Sequence, residues 1–285
     1  MIHIATVHYK TDKWIDIQLR YLNEHIKQPF RVYSFLCGDA AKHRDRFYYS
    51  SIEPIQDHAT KLNILADIIY FAAESKNDPL IFLDGDAFPI APLDGFIEFA
   101  LKDYPLAAVQ RLENIGDKQP HPSFCLTTPV FWKSIGGDWA KGYEWISTMN
   151  TPRSDVGGNL LNILGVNGVD WMKLHRTNVN AYHPVLFGVY GDLVYHHGAG
   201  YRHPLTLHDR MKSLQGVFKN KALIIALDKL FGCLSIRNRY RAHRLLGINK
   251  KLIECNRQYS DWIFGLIASN NSKFTELIRG GTPTP

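Results

Sequence analysis

The feature that most constrains this fold is a short apolar run that stops at two carboxylates. Leu80–Leu83 follows a proline and leads directly into Asp84, Gly85 and Asp86. Four apolar residues between a proline and a glycine are too few for a helix and predict a buried strand. Both aspartates are therefore predicted at the end of that strand, which is where ligands bind in an open α/β sheet.

The segments before this run alternate between strand and helix patterns. Residues 2–9 suit a first strand, residues 13–27 a helix and residues 31–36 a second strand, while residues 58–75 carry leucines and isoleucines at helical spacing. Strand, helix and strand in this order form a βαβ unit with parallel strands. The predicted fold class is α/β, with a mostly parallel central sheet flanked by helices.

Asp84 and Asp86 are spaced for a divalent cation. Two neighbouring carboxylates repel each other unless a cation lies between them or one is protonated, and hard oxygen ligands suit Mg²⁺ or Mn²⁺. Asp-Gly is also common in surface turns, which is the alternative interpretation. The triplet, with its preceding strand, resembles the Asp-x-Asp motif of GT-A glycosyltransferases. That resemblance implies a metal bridging the aspartates to the diphosphate of a nucleotide-sugar.

The resemblance also implies residues that contact the donor. Thr6 and His8, at the end of the first strand, correspond to positions that hold the base and ribose, with loop-edge residues as the alternative. Lys61 lies in the first turn of the helix before Asp84, where a lysine and a helix N-terminus both favour an anion. Arg111, after the strand 107–110, is predicted to reach the sugar or phosphate.

A histidine- and glycine-rich segment follows much later in the chain. A predicted strand that begins near Leu193 ends in His196 and His197, and Gly200 and Arg202 follow it. Imidazole can bind a metal, and glycines let the backbone approach phosphate closely. The segment resembles the His-x-x-Gly element of retaining GT-A enzymes such as glycogenin and bacterial galactosyltransferases. This implies His197 as the third metal ligand, with His196 as the rival, and a diphosphate contact for Arg202.

Two further stretches carry expectations about local structure, and the second also concerns the acceptor. Residues 123–132 are predicted as two short strands broken at Pro129. Ser154 or Asp155 is predicted to cap a helix that contains Leu160, Leu161 and Leu164. The resemblance implies that Asp155 faces the acceptor in a retaining enzyme or serves as general base in an inverting one. Retention is favoured, because the His-x-x-Gly element is typical of retaining members.

The net charge of +6 is concentrated in one segment. Residues 201–257 carry 13 Lys and Arg against 3 Asp and Glu, whereas residues 1–200 are net acidic. Basic residues beside aliphatic ones predict helices that contact an anionic membrane surface through residues 206–257. A solvated helical appendage and a nucleic-acid patch are the alternatives, and no nucleic-acid motif is recognisable. The predicted organisation is a GT-A domain over 1–205, a basic helical extension over 206–279 and a disordered tail over 280–285.

The resemblance to GT-A enzymes implies a metal-dependent hexosyltransferase. It would move sugar from a nucleoside-diphosphate donor, with a UDP-sugar favoured, to a glycan or lipid-linked saccharide in bacterial surface polysaccharide synthesis, such as that of lipopolysaccharide. A nucleotidyltransferase is one alternative, although residues 7–12 lack its glycine-rich loop. A non-catalytic membrane- or nucleic-acid-binding protein is the other. The N-terminus reads as a strand rather than a signal peptide, which predicts a cytoplasmic protein, peripheral on the inner face of the membrane.

Overall fold

A computed structural model describes residues 1–148, 150–178, 186–198, 245 and 248–279. The helices are α1 (Ile15–His25), α2 (His58–Ala72), α3 (Asp94–Asp103), α4 (Pro129–Ser134), α5 (Gly158–Val166), α6 (Ile248–Ala268) and α7 (Ser272–Ile278), with a 3-10 helix at Asp39–Arg46. The strands are β1 (Ile2–Lys10), β2 (Phe30–Gly38), β3 (Tyr49–Ser51), β4 (Leu80–Asp84), β5 (Ala87–Pro89), β6 (Ala107–Gln110), β7 (Pro120–Thr127), β8 (Trp145–Ile146), β9 (Pro152–Arg153), β10 (Met172–Leu174), β11 (Gly188–Tyr190) and β12 (Val194–His196).

The central sheet is mostly parallel. Its strands follow the order β10-β6-β7-β4-β1-β2-β3, and β7 alone runs antiparallel to its two neighbours, β4 and β6. The pairs β1 with β2, β1 with β4, β2 with β3 and β10 with β6 are parallel. The predicted α/β class, with a mostly parallel sheet flanked by helices, is confirmed.

The apolar run of β4 is continuous because both faces of the sheet are covered. Ile81 and Leu83 lie in a core cluster shared with residues of α1 and α3. Leu80 and Phe82 lie in a second cluster with residues of α2, α4 and α5. Alternate residues of a strand point to opposite faces, so a strand buried on both sides needs apolar residues at every position.

A smaller sheet brings a distant segment to the end of β4. Its strand order is β11-β12-β5. Strand β12 pairs antiparallel with β5, so that His196 lies opposite Ala87. The chain around residues 194–196 is thereby fixed beside the turn that follows Asp84.

Two local predictions were wrong. The segment after Pro129 forms helix α4 rather than a strand, because the Thr128 hydroxyl accepts a hydrogen bond from the backbone N–H of Phe131 and proline suits the first helical turn. Neither Ser154 nor Asp155 caps α5, which begins after Gly157 without a side-chain cap. The Ser154 hydroxyl instead accepts a hydrogen bond from the backbone N–H of Gly142.

The chain divides into two compact units. The first comprises Met1–Thr177 and Val189–His196, and the second Asn178–Gly188 and His197–Pro285. In the described part of the second unit, α6 and α7 carry buried apolar residues, among them Ile263, Ile267 and Phe274. The predicted boundary at residue 205 and most of the basic segment lie outside the described residues. No helix in the described ranges has the length and apolar character needed to cross a membrane.

Candidate functional site

The turn between β4 and β5 carries the two aspartates at the carboxyl edge of the central sheet. Only glycine fits between them. A Cβ on Gly85 would lie 2.5 Å from the carbonyl oxygen of Val7 and 2.9 Å from Nδ1 of His8, which is closer than real Cβ contacts allow. The turn therefore packs directly on the end of β1, and Asp84 and Asp86 flank the contact.

Asp84, Asp86 and His196 form a cluster that can hold a metal ion. Nε2 of His196 lies 3.6 Å from Oδ2 of Asp84 and 3.4 Å from Oδ1 of Asp86. One ligand atom from each residue lies within 4.8 Å of the others. The three side chains are 8–14% exposed. Two carboxylate oxygens and one imidazole nitrogen fit a divalent cation such as Mn²⁺ or Mg²⁺.

His58 is a residue of this site that the sequence analysis did not single out. It is the first residue of α2, and its Nε2 lies 3.1 Å from Oδ1 of Asp84. Asp57 caps the helix by accepting a hydrogen bond from the backbone N–H of Thr60. The helix start is thereby fixed, which holds His58 against the Asp84 carboxylate. A histidine one turn before Lys61 was the available signal.

His121 contacts His196, and the sequence analysis did not single it out either. Its ring centroid lies 5.6 Å from that of His196. Burial lowers the pKa of His121 well below its ordinary value, so the ring is neutral at pH 7. Its Nδ1 accepts a hydrogen bond from the backbone N–H of Ser123, which places the ring proton on Nε2.

The two residues predicted at the donor base and ribose are buried. Thr6 and His8 both bind the side-chain oxygen Oε1 of Gln18, on α1, at 3.2 and 3.1 Å. Burial lowers the pKa of His8 to about 4, so this imidazole is also neutral at pH 7. Their predicted role in donor binding stays a prediction.

Lys61 is a buried cation close to the same sheet edge. Its side chain is 1% exposed, and its Nζ lies 4.8 Å from the centroid of the Tyr9 ring. Within the described ranges, no carboxylate forms an ion pair with this ammonium group. An ammonium group buried without a carboxylate is energetically costly unless an anion binds beside it.

Arg111 and Asp155 lie in one ionic group. The Arg111 guanidinium is 3.3 Å from the buried carboxylate of Asp117 and 3.8 Å from that of Asp155. Lys141 Nζ lies 3.6 Å from the other Asp155 oxygen. Burial raises the pKa of Asp117, and Arg111 opposes that effect. Asp155 is half exposed, whereas Arg111 is enclosed with Asp117.

His197 belongs to the second unit of the chain. Its Nε2 lies 2.8 Å from the hydroxyl of Ser260 on α6, and both side chains are buried. The metal-capable cluster among the described residues includes His196 rather than His197. Gly200 and Arg202 lie outside the described residues.

Comparisons with known proteins give distant structural likenesses. No protein-family model matches the sequence, and no curated protein matches it. Solved structures similar to part of this chain include the glycosyltransferase GlyE of Streptococcus pneumoniae TIGR4 (14% identity, TM-score 0.35, covering 47% of this chain and 35% of GlyE). Residues 1–349 of S. aureus TarS align at 14% identity and TM-score 0.35, covering 49% of this chain and 50% of that one. An active-site mutant of LgtC aligns at 12% identity and TM-score 0.33, covering 47% and 59%.

The aligned region spans roughly a third to three fifths of the length of these neighbours.

Proposed function

We propose that this protein is a metal-dependent glycosyltransferase that takes its sugar from a nucleoside-diphosphate donor, with a UDP-sugar favoured. The observation that carries the proposal is the cluster of Asp84, Asp86 and His196 at the carboxyl edge of a mostly parallel sheet. This edge is where α/β proteins bind nucleotides. A site with few protein ligands leaves room for substrate phosphates to complete the shell of a cation.

The residues of the cluster would hold Mn²⁺ or Mg²⁺. When bound, the cation supplies Lewis-acid stabilisation of the negative charge that develops on the departing diphosphate. Asp84 and Asp86 would provide its oxygen ligands and His196 its nitrogen ligand. Nε2 of His58 lies 3.1 Å from Oδ1 of Asp84, whereas His196 lies closer to Oδ2.

The donor contacts follow from charge and position. Lys61 is a buried ammonium group without a carboxylate partner among the described residues, so an anion such as the donor diphosphate would offset its cost of burial. We assign Gly200 and Arg202 to the same diphosphate. Thr6 and His8 are proposed to bound the pocket of the base and ribose. Arg111 would contact the sugar or a phosphate.

The acceptor side is assigned to Asp155. Its carboxylate is half exposed and is held between Arg111 and Lys141. Such a group can accept a hydrogen bond from a sugar hydroxyl. We propose that the acceptor is a glycan or lipid-linked saccharide, that transfer retains the anomeric configuration, and that the product belongs to a bacterial surface polysaccharide.

The basic segment supports an acceptor at a membrane. Residues 201–257 carry 13 Lys and Arg against 3 Asp and Glu, and each basic residue near an anionic surface contributes roughly 1 kcal/mol of binding. We propose that this segment holds the protein at the inner, cytoplasmic face of the membrane. Vesicle sedimentation with and without anionic lipid measures this contact separately from catalysis.

The primary test is thermal melting with UDP, GDP and CMP, each with and without Mn²⁺. A ligand that binds only the folded protein raises the melting temperature by mass action. We expect a shift with UDP that depends on Mn²⁺ and disappears in Asp86→Asn. Asp103→Asn, which changes an exposed aspartate at the end of α3, is the matched control and should shift like the wild type.

The product of turnover separates the proposal from its enzyme rival. A glycosyltransferase releases a nucleoside diphosphate from its donor, whereas a nucleotidyltransferase releases pyrophosphate. Absence of any Mn²⁺-dependent shift with all three nucleotides, in a protein that melts cooperatively, would refute the proposed function.

A further inference from the structure

Gln18 is completely buried and connects three separate segments of the chain. It lies on α1 with no solvent exposure. Its Nε2 donates hydrogen bonds to the carbonyl oxygens of Asp84 and Ala87, both at 2.8 Å. Its Oε1 accepts from the Thr6 hydroxyl and the His8 imidazole. The amide thus uses both of its N–H groups and both lone pairs.

This arrangement determines which way the amide points. Carbonyl oxygens can only accept, so the NH₂ group must face Asp84 and Ala87. Oε1 then faces β1, where the neutral His8 ring presents the N–H on Nε2. A reversed amide would place Oε1 at 2.8 Å from the carbonyl oxygens of Asp84 and Ala87, which cannot donate to it. It would also leave the buried donors of Thr6 and His8 without an acceptor, which costs several kcal/mol.

The two carbonyl oxygens lie on either side of the metal-capable turn. Asp84 O precedes Gly85 and Asp86, and Ala87 O follows them, so one side chain holds both ends of the turn. Gly85 is pressed against β1 at the same point. Ala87 is also the residue that pairs with His196 in the small sheet. The position of all three candidate ligands therefore depends on a backbone that Gln18 secures.

We propose that Gln18 is a positioning residue that sets the spacing of the Asp84 and Asp86 carboxylates for a divalent cation. This inference rests on the proposed metal site and extends it to a residue 66 positions away in sequence from Asp84. Gln18 does not touch the cation. It acts through the backbone of the turn, in the way that hydrogen-bonded outer residues orient metal ligands.

Two variants remove the hydrogen bonds from Gln18 to the turn without removing a candidate metal ligand. Gln18→Met keeps the approximate shape and loses all four hydrogen bonds. Gln18→Glu keeps an acceptor for Thr6 and His8 but cannot donate to the two carbonyl oxygens. The second variant keeps the test decisive if the first does not fold, because it retains the acceptor for Thr6 and His8 and loses both donors to the turn. The negative charge that it adds would by itself favour a cation, so a weaker affinity cannot come from that charge.

Gln110→Met is the matched control. Gln110 is also a buried glutamine, which donates to the carbonyl oxygen of Lys118 at 2.7 Å and accepts from His175 at 2.8 Å. Its bonds do not involve the turn between β4 and β5. It reports the general effect of replacing a buried, hydrogen-bonded glutamine.

The readout is the affinity for Mn²⁺ alone, measured by the loss of the free-ion signal in electron paramagnetic resonance, with urea unfolding of the metal-free proteins alongside. We expect both Gln18 variants to weaken Mn²⁺ binding roughly 10- to 100-fold. The Mn²⁺ affinity of Gln110→Met should stay within about 3-fold of the wild type, even if its free energy of unfolding falls as much as that of the Gln18 variants.

The outcomes separate this inference from the proposed function. If a folded Gln18→Met or Gln18→Glu binds Mn²⁺ with the affinity of the wild type, the proposed role of Gln18 is overturned and the proposed metal site stands. An equal loss of affinity in Gln110→Met also overturns it, because the effect would then follow stability alone. A wild-type protein that binds no Mn²⁺ refutes the metal site itself, and the role of Gln18 with it.

Discussion

His8 should make the stability of this protein fall in mild acid. Its imidazole is 2% exposed and its Nε2 lies 3.1 Å from Oε1 of Gln18. Burial lowers the pKa of His8 from its ordinary value of 6.5 to about 4. The Gln18 contact and Asp86 act in the opposite direction but do not outweigh burial.

The sign and size of the effect follow from proton linkage. Between the two pKa values, the unfolded chain binds a proton at His8 and the folded protein does not, so the free energy of unfolding decreases as the pH falls. His8 therefore costs no stability above about pH 6.5, an increasing amount as the pH falls from 6.5 to 4, and a constant amount below pH 4. A pKa difference of this size, at about 1.4 kcal/mol per unit, corresponds to roughly 3 kcal/mol.

Replacing His8 with glutamine isolates this contribution. A glutamine at this position does not titrate, and its amide can still donate to Gln18. Urea unfolding of the metal-free wild type and His8→Gln would be measured at several pH values from about 7.5 to 4. The wild type should lose roughly 3 kcal/mol more than the variant over this range.

Other buried histidines do not obscure the comparison. Burial also lowers the pKa of His3 and of His121, but both residues are present in the two proteins and their effects cancel in the difference. Parallel curves of unfolding free energy against pH for the wild type and His8→Gln would show that His8 does not stay neutral in the folded protein. The reasoning from burial would then be refuted.

Two further predictions concern the region around Asp155. Gly157 has φ +98°, and a Cβ there would lie 2.1 Å from a carbonyl oxygen of β7, so Gly157→Ala should lower the free energy of unfolding by at least about 1–3 kcal/mol. In the control Gly165→Ala the Cβ meets no atom within 4 Å, so this variant should stabilise α5 by roughly 0.5–1 kcal/mol. Equal urea midpoints for the two variants would contradict this prediction. Arg111→Met should cost about 3–5 kcal/mol in urea unfolding, because it leaves the Asp117 carboxylate buried without its cation. Adding Asp117→Leu should recover most of that loss, and a double variant no more stable than Arg111→Met would argue against a buried ion pair.

The sequence identified the parts of this molecule whose signals are local. The buried strand before Asp84 follows from four apolar residues between proline and glycine, and α2 follows from its helical spacing and an aspartate at its start. The order of strand, helix and strand at the N-terminus was enough to predict the mostly parallel sheet. Residues 129–134 were predicted wrongly although their signal, a threonine cap followed by proline, is local. At residues 154–158 the Ser154 hydroxyl is instead engaged by the backbone N–H of Gly142, which no local pattern shows.

The contacts around the candidate metal site were beyond any local pattern. Gln18, on α1, and His58, at the start of α2, reach Asp84 only because the parallel sheet brings the ends of β1 and β4 together. Nothing in the residues next to Gln18 distinguishes it from a solvated helical glutamine. Long-range hydrogen bonds of this kind depend on the completed packing of helix on sheet.

The pair His196 and His197 shows most clearly which part of the candidate site required the tertiary structure. The resemblance of this segment to a His-x-x-Gly element predicted that one histidine of the pair would accompany Asp84 and Asp86, with His197 favoured over His196. Neighbouring residues of an extended chain point to opposite sides, so the register of β12 against β5 decides which ring faces the aspartates. That register places His196 opposite Ala87 and its Nε2 3.4 Å from Asp86. Only the folded chain contains this information, because the register depends on packing between segments about 100 residues apart.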